Sequence, residues 1–380
     1  MESFKIAFFC WESLYAERVG GLANAATNLA ETLVRQNHEV HYYTRGQIPD
    51  QEINGVQYHY CWPKGNNIVA YCNDMSRAMV SRFRTNDRYG RFDFLHFHDW
   101  HTVQALHELK DLNTILTFHS TEYGRNGNQT GDWWEFREIS GKEWYGGLIA
   151  KRVTAVSATL KREVMDLYNV PEEKCEVIPN GIVPRAFRAA IDTGDVKAAY
   201  GIHPCAPLIL FIGRLVYQKG PDIFIEALRK VCRHRSDAKV VVAGEGGMRQ
   251  LLQERAKDLP VNFVGYIPDS EYIQLLNAAD IVVIPSRNEP FGLVLLEAWS
   301  AEKCVVASNV GGLSENIEGN VNGIKVAVDP DSLASGINTM LDEPWNAGAL
   351  GMRGRNKVDR LFLWGPIVQR LTGTYTRVVA

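Results

Sequence analysis

The sequence predicts an α/β protein built from two doubly wound, Rossmann-like domains that face a shared cleft. Short β-branched runs alternate with amphipathic helical segments, a pattern typical of parallel sheets. The alternation occurs as two separate series, and 380 residues are too many for one ordinary hydrophobic core. A hydrophobic fraction of 46% and a charged fraction of 22% are ordinary for a globular protein.

The first series of elements occupies the first half of the chain. Strands and helices follow one another closely, and the glycine pair at residues 20–21 opens the first helix. The predicted strands are KIAFFC (5–10), HEVHYYT (38–44), DFLHFH (93–98) and NTILTFH (113–119), followed by the end of GGLIAKRVTAVS (146–157) and by CEVIPNGI (175–182).

The second series repeats this alternation after a turn-rich segment at roughly residues 180–205, which we interpret as the interdomain linker. We therefore expect an N-terminal domain at residues 1–182, a C-terminal domain at 183–355 and a final segment at 356–380. The predicted strands are PLILFIG (207–213), AKVVVAG (238–244), VNFVGY (261–266), IVVIPS (281–286) and CVVASN (304–309).

Charge and cysteine content exclude several classes of protein. A net charge of −3 provides no general attraction for nucleic acid or an anionic membrane. No apolar stretch approaches the length of a membrane span, and Glu12 and Glu17 follow the first apolar run too closely for a signal peptide. The seven cysteines form no C-x-x-C pair, which favours reduced thiols in a cytoplasmic protein and no zinc site.

Three strand ends of the first half carry candidate site residues. Ligands of parallel sheets bind beyond the carboxyl ends of the strands. Gly20 and Gly21 could bring backbone N–H groups to an anion at a helix start, or form an ordinary tight turn. His98 with Asp99 ends one strand, and His119 ends the next predicted strand. A single strand-end histidine is usually structural, whereas two on consecutive strands suggest an active site.

Two cationic residues follow the first predicted strand of the second series. Gly213-Arg214 ends an apolar run, and Lys219 precedes the following helix. This placement suits a ligand with dispersed negative charge. A nicotinamide dinucleotide is disfavoured, because the glycine fingerprint that starts at Gly244 has Arg249 in place of its third glycine. The ring of Tyr266, after the third strand, either receives a flat base or is buried.

Two carboxylates flank the segment EPFGLVLLE (289–297). Glu289 precedes a proline at a helix start, where an acidic residue also favours the helix dipole. Glu297 lies just over two turns further, inside an apolar run, and needs a partner because burying a lone carboxylate is costly. A sugar diol, a lysine or a backbone amide would each serve as that partner.

Eight motifs in this order resemble those of retaining GT-B glycosyltransferases, the group that includes glycogen and starch synthases, sucrose-phosphate synthases and bacterial surface-sugar transferases. The likeness covers nearly the whole chain. The motifs are RVGGL (18–22), HFHDWHT (96–102), VTAVS (153–157), VIPNGI (177–182), GRLVYQKG (213–220), EPFGLVLLE (289–297), SNVGGLSE (308–315) and FLWGPIV (362–368).

The resemblance implies a role for each candidate. Arg214 and Lys219 would hold the donor diphosphate, Glu289 would lie beside the donor sugar, and Glu297 would bind the ribose hydroxyls. His98 would contact the donor sugar and, with Arg214, Lys219 and Glu289, form the catalytic set. The other donor-binding residues would be Arg18, Gly20, Gly21, Gly213, Tyr266, Phe291, Gly292 and Leu293, with Asp99 and His119 on the acceptor side.

The resemblance further assigns the acceptor to the first domain and the donor to the second, with the final segment crossing back to the first. Two positions depart from glycogen synthases, which usually carry lysine at Arg18 and, in bacteria, cysteine at Phe291. The chain is also shorter than typical glycogen synthases, which argues against a long polymer acceptor. Asp329-Pro330-Asp331, the one Asp-x-Asp, reads as a structural turn before a helix.

The expected activity is metal-independent, retaining transfer of a hexosyl group, first of all glucosyl. The donor would be a nucleoside-diphosphate sugar such as ADP- or UDP-glucose, the acceptor a carbohydrate as in glycogen synthase, and no cofactor is expected. The alternative acceptors are a small molecule, such as a sugar phosphate or a glycoside, and a cell-surface glycan precursor. A nucleotide-sugar epimerase and a non-catalytic sugar-binding module are the alternatives of other classes.

Overall fold

Each predicted series of strands forms its own sheet in the computed structural model, which describes residues 3–87 and 91–379. The chain divides into two units. The first unit comprises the described residues up to Tyr123, then Thr130–Gly181 and the chain from Trp364 onward. The second unit comprises Gly124–Gln129 and Ile182–Leu363.

The sheet of the first unit has eight strands in the order β3-β4-β2-β1-β5-β6-β7-β8. All neighbours are parallel except β3, which pairs antiparallel with β4 at the edge. The strands are β1 (Lys5–Phe9), β2 (Glu39–Arg45), β3 (Gln51–Ile53), β4 (Val56–Cys61), β5 (Phe94–His98), β6 (Thr114–Phe118), β7 (Arg152–Ala155) and β8 (Cys175–Val177).

The helices of the first unit bury one apolar face each against this sheet or its neighbours. In the first helix, Ala26, Leu29 and Leu33 recur at helical spacing and are buried. The helices are α1 (Gly21–Arg35), α2 (Ile68–Asn86), α3 (Val103–Glu108), α5 (Trp134–Ile149), α6 (Ala158–Tyr168) and α15 (Trp364–Val379), with the short α4 (Glu122–Arg125) where the chain passes to the second unit.

The second unit contains a parallel six-stranded sheet in the order β11-β10-β9-β12-β13-β14. Its strands are β9 (Leu208–Ile212), β10 (Lys239–Ala243), β11 (Val261–Gly265), β12 (Ile281–Ile284), β13 (Cys304–Ser308) and β14 (Ile324–Val326). Its helices are α7 (Thr193–Ala199), α8 (Pro221–His234), α9 (Arg249–Arg255), α10 (Asp269–Ala278), α11 (Leu293–Ser300), α12 (Gly311–Asn316), α13 (Pro330–Asp342) and α14 (Pro344–Leu361).

The chain changes unit at Gly181–Ile182, the start of the turn-rich segment at 180–205 that the sequence suggested as the interdomain linker. From Ile182 onward this segment belongs to the second unit and contains α7. Lys197 of α7 is buried, donating to the Ala206 carbonyl and the Asp280 carboxylate at 2.9 Å each. The buried Lys197 ammonium and the half-exposed Asp280 carboxylate thus hold this segment in the second unit.

The final segment also differs from its expected bounds. Residues 356–363 belong to the second unit, because α14 runs to Leu361 and packs there. Helix α15 belongs to the first unit, where the buried Tyr375 hydroxyl lies 2.8 Å from His96 Nδ1. The C-terminal helix is thus Trp364–Val379 rather than the whole of 356–380. Within the described ranges, no helix combines the length and the hydropathy needed to cross a membrane.

Candidate active site

Lys219 and Glu289 form an ion pair in the second unit, beyond the carboxyl ends of β9 and β12. The Lys219 ammonium donates to both carboxylate oxygens, at 3.0 and 2.7 Å, and Ser286 Oγ donates to one of them at 3.0 Å. Glu289 is buried, and the Lys219 side chain retains 23% exposure. Two of the predicted catalytic residues therefore lie in direct contact.

Arg287 joins the turn that carries Lys219 to the loop that carries Glu289. Its guanidinium donates to both oxygens of Asp222, at 2.7 and 2.6 Å, and to the Tyr217 carbonyl at 2.9 Å. Burial acts to raise the pKa of Asp222, but the Arg287 hydrogen bonds and charge hold it below its usual value. The sequence analysis missed this bidentate pair, which keeps the two segments in register.

Glycines allow close backbone approach on both sides of Glu289. Gly311 has φ +48, and a Cβ there would lie 2.1 Å from the Glu289 carbonyl oxygen. Gly220 has φ +62, and its Cβ would lie 2.0 Å from the Pro285 carbonyl oxygen. No other residue fits either position without moving the backbone. Gly311 thus lets the motif SNVGGLSE (308–315) pack directly against the backbone at Glu289.

Arg214 follows β9 and is exposed, five residues before Lys219. Its Nη2 lies 3.4 Å from Gln218 Oε1. Gly244, at φ +137, lets the loop after β10 approach the loop after β9, since a Cβ on Gly244 would lie 2.0 Å from the Gly213 carbonyl oxygen. The glycines after β10 therefore serve loop packing.

Glu297 lies on α11 and is buried, as its place in an apolar run predicted. Its partner is a residue that the sequence analysis did not consider. The Tyr272 hydroxyl of α10 donates to Glu297 Oε2. Neither spacing nor composition could have joined these residues, because they lie on different helices.

The remaining donor-side candidates fall into exposed and buried groups. The Tyr266 side chain is 73% exposed, so the alternative of a buried tyrosine is wrong. Phe291 is buried, and its ring packs edge-on against Phe362. Gly292, at φ +95, precedes Leu293, the first residue of α11. This turn directs the start of α11.

His98 and His119 meet in the first unit, because β5 and β6 are neighbouring strands. His98 Nδ1 lies 3.0 Å from His119 Nε2, and Asp99 Oδ1 accepts the His119 N–H at 2.7 Å. Asp99 has φ +56, an uncommon value for a residue with a side chain. His98 Nε2 is buried and has no hydrogen-bond partner among the residues that the structure describes.

Burial keeps this histidine group neutral. Desolvation lowers the pKa of His96 and of His119 to about 3 each. The pKa of His98 is lowered well below its usual value by burial, and then by the charges of its two histidine neighbours. Since protonation is disfavoured at all three rings, His98 offers a neutral imidazole.

The glycine loop before α1 already binds a carboxylate. Glu12 Oε2 accepts the N–H groups of Val19 and Gly20, at 2.5 and 3.1 Å. Burial raises the pKa of Glu12, although these two hydrogen bonds act against that shift. A Cβ at Gly20 would meet nothing within 4 Å, while Arg18 beside it is exposed. Anion binding by the Gly20 and Gly21 amides was one of two alternatives that the sequence left open, and the structure shows the Val19 and Gly20 amides donating to Glu12, a partner that the sequence did not indicate.

The Asp-x-Asp segment has the structural position that the sequence predicted. Asp329 caps α13 by accepting the N–H groups of Asp331 and Ser332, at 2.9 and 2.8 Å. Across the described part of the chain, no group of three or more histidine, cysteine, aspartate or glutamate residues has an arrangement that could hold a metal ion.

Two α/β units, each with a largely parallel sheet and charged residues beyond its strand ends, are the architecture of GT-B glycosyltransferases, and the comparisons place the chain in that class. Residues 193–357 match the family described as glycosyl transferases group 1, and residues 19–185 match glycosyltransferase family 4. An uncharacterised glycosyltransferase of Methanocaldococcus jannaschii is 36% identical over 98% of this chain and 97% of its own length.

Two further proteins support this assignment. The glycogen synthase of Mycobacterium tuberculosis is 29% identical over 94% of this chain and 91% of its own. The structure of sucrose-phosphate synthase from Thermosynechococcus elongatus has a TM-score of 0.81 and 22% identity, with 99% of each chain covered. The chain belongs to the GT-B glycosyltransferases, with a family 4 match in its first half and a group 1 match in its second.

Proposed function

We propose that the protein is a retaining, metal-independent glycosyltransferase that moves a glucosyl group from a nucleoside-diphosphate glucose to a carbohydrate acceptor. One observation carries the proposal. Lys219 lies against the buried carboxylate of Glu289, with Arg214 on the same turn beyond β9. A carboxylate next to fixed cations suits a reaction that separates a sugar cation from a diphosphate anion.

The two cations would act on the leaving group. As the bond between the anomeric carbon and the phosphate oxygen breaks, negative charge grows on the diphosphate. Arg214 and Lys219 would stabilise that charge without further reorganisation, because the 217–220 turn is fixed by Arg287 and Asp222. Glu289 would stabilise the positive charge on the sugar ring.

The sugar nucleotide would be oriented by groups that do not change charge. Glu297, held by Tyr272, offers a carboxylate for the two ribose hydroxyls. Gly213, Tyr266, Phe291, Gly292 and Leu293 would complete the donor side.

The first unit would contribute its own groups. Arg18, Gly20 and Gly21 would act on the diphosphate, and His98 on the donor sugar. The unpartnered, neutral Nε2 of His98 is suited to a sugar hydroxyl. Asp99 and His119, which are joined to each other by a hydrogen bond, would orient His98 and serve the acceptor side.

The similarity to glycogen synthase favours an α-glucan as acceptor and glucose as the transferred sugar. A small acceptor, such as a sugar phosphate, is the second candidate. The experiment is to incubate the protein with ADP-, UDP- and GDP-sugars, with maltooligosaccharides, with a sugar phosphate or with no acceptor, and to measure the released nucleoside diphosphate and the size of the acceptor product.

We expect ADP or UDP to be released from ADP- or UDP-glucose only when an acceptor is present. The maltooligosaccharide should be elongated through an α-linkage. Release with elongation of a sugar phosphate alone would select the second candidate. Conversion of the nucleotide sugar without release of a nucleoside diphosphate would indicate an epimerase. Donor binding without turnover would indicate a sugar-binding module.

A further inference from the structure

Helix α5 exposes large aromatic side chains that the proposed reaction does not use. Trp134 is 52% exposed and Trp144 is 46% exposed. Trp133, just before the helix, is 45% exposed. At 3.6 residues per turn, Trp134, Trp144 and Leu148 lie on one side of α5. Three exposed indole rings on one short segment lack the stabilisation that burial would give. They indicate a surface that binds a ligand.

A small pocket adjoins this side of the helix, between α3 and α5. Its volume is about 180 Å³. Its lining combines hydrogen-bond donors and acceptors of several kinds. The polar residues that line it are Gln104, His107, Arg137, Glu138, Lys142 and Tyr145.

The pocket and the exposed rings form one continuous surface. His107 Nδ1 lies 2.7 Å from the Tyr145 hydroxyl, and the Tyr145 ring centroid lies 6.4 Å from that of Trp144. Gly141 lies in the pocket lining, where a Cβ would meet nothing within 4 Å. The pocket floor is therefore open because this position has no side chain.

The charges around these rings argue for a neutral ligand. On the exposed sides of α5, Glu135 and Glu138 balance Arg137 and Lys142, so the surface has no net preference for an anion or a cation. On the exposed side of α5, Trp134, Trp144 and Leu148 alternate with the polar side chains of Arg137, Glu138 and Tyr145, so the apolar groups are flanked by hydrogen-bonding groups. Carbohydrates combine apolar ring faces with many hydroxyl groups, which matches rings beside a pocket lined by hydrogen-bonding residues.

We propose that the surface formed by Trp134, Trp144, Tyr145 and the α3–α5 pocket binds a neutral oligosaccharide. It holds a glycan on the first unit in the absence of any sugar nucleotide. The ring faces stack on sugar faces, and the pocket accepts hydroxyl groups. Only the choice of an α-glucan as probe rests on the proposed function.

The test is calorimetric titration of the full chain with maltoheptaose, with no donor present. Trp144→Ala removes an exposed ring, and Gly141→Leu fills the pocket from a helical position with open space around it. Trp345→Ala is the matched control, because Trp345 is 76% exposed on α14 of the second unit. Melting temperatures of all variants confirm that they are folded.

We expect wild type and Trp345→Ala to bind equally, and each of the other two variants to bind about tenfold more weakly. Equal binding by all four proteins, or no binding by wild type, would overturn the proposal. So would Trp144-dependent binding to phosphatidylcholine vesicles without maltoheptaose binding, or a Trp144-dependent dimer in sedimentation. Trp144-dependent glycan binding in a protein that transfers no sugar would uphold this proposal while the proposed function fails.

Discussion

Lys219 and Glu289 are 70 residues apart in the chain, yet the lysine ammonium lies within 3.0 Å of both carboxylate oxygens. The pair joins the turn after β9 to the loop after β12. Each charge compensates the other in a partly buried position, so removing one leaves its partner unpaired. Variants that keep the shape of a side chain are therefore more informative here than truncations.

Glu289→Gln removes the charge of the carboxylate while keeping the shape of the side chain. One amide oxygen can still accept from Lys219 and Ser286, but the amide N–H2 replaces the oxygen that accepts the second Lys219 hydrogen bond, so we expect a folded protein with a lower melting temperature. We expect kcat to fall by about 10²-fold or more, because a neutral amide cannot balance positive charge on the sugar ring. The matched control is Glu245→Gln, an exposed residue paired with Arg249. Wild-type kcat in Glu289→Gln would remove this residue from the reaction.

Asp222→Asn tests whether Arg287 positions Lys219. Loss of the bidentate pair should cost about 1–3 kcal/mol of stability and lower kcat more than it raises the donor KM. Chemical denaturation and steady-state kinetics measure the two effects. Asp258→Asn, which breaks the exposed pair with Arg229, is the control and should change neither. A loss of stability at constant kcat would show that the pair is structural only.

Acid should destabilise the first unit through its buried histidines. His96 and His119 have a pKa of about 3 in the folded chain, against about 6.5 when unfolded. The unfolded chain therefore binds more protons between these values, so stability is complete above about pH 6.5 and declines as the pH falls. Each histidine contributes up to about 1.4 kcal/mol per pH unit in this window.

Melting temperatures between about pH 7.5 and 5.5 check this linkage. We expect the decrease to be smaller in His119→Gln than in His234→Gln, because His234 is a half-exposed surface residue paired with Asp342. Parallel decreases in both variants would show that His119 is not protected from protons.

Activity should survive a strong chelator, because the proposed charge stabilisation comes from Arg214 and Lys219. The measurement is the rate of nucleoside diphosphate release before and after treatment with EDTA and dialysis. Loss of turnover that a divalent cation restores would contradict the metal-independent proposal.

The sequence predicted the strands that matter most for the site, because each is a short run of mainly apolar residues. It missed the β3–β4 hairpin, although Asn54-Gly55 between these strands is a strong turn signal and both residues have positive φ. Strand β3 is only three residues long, with two polar residues, and gives no apolar pattern. The sequence analysis also did not assign α2, whose start at Asn67 is marked by a side-chain cap to Ala70.

The sequence predicted the position of a candidate site residue where that residue directly ends or follows a predicted strand. His98 and His119 could be placed near each other because consecutive parallel strands often pair. Pairs such as Tyr272 with Glu297 and Asp222 with Arg287 could not be found. Their members lie 25 and 65 residues apart, and no periodic pattern links such positions.

The central claim is that Arg214 and Lys219 stabilise the leaving diphosphate while Glu297 binds the donor uniformly. The most direct measurement is steady-state kinetics against the nucleotide sugar, at saturating acceptor, for Arg214→Ala, Lys219→Arg, Lys219→Ala and Glu297→Ala, with Glu245→Ala as control. We expect Lys219→Ala and Arg214→Ala to lower kcat by about 10²–10³-fold, and Lys219→Arg to recover part of the loss. Glu297→Ala should mainly raise the donor KM, by about 10–100-fold. If Glu297→Ala lowered kcat as deeply as Lys219→Ala and left the donor KM unchanged, the assigned roles would be contradicted.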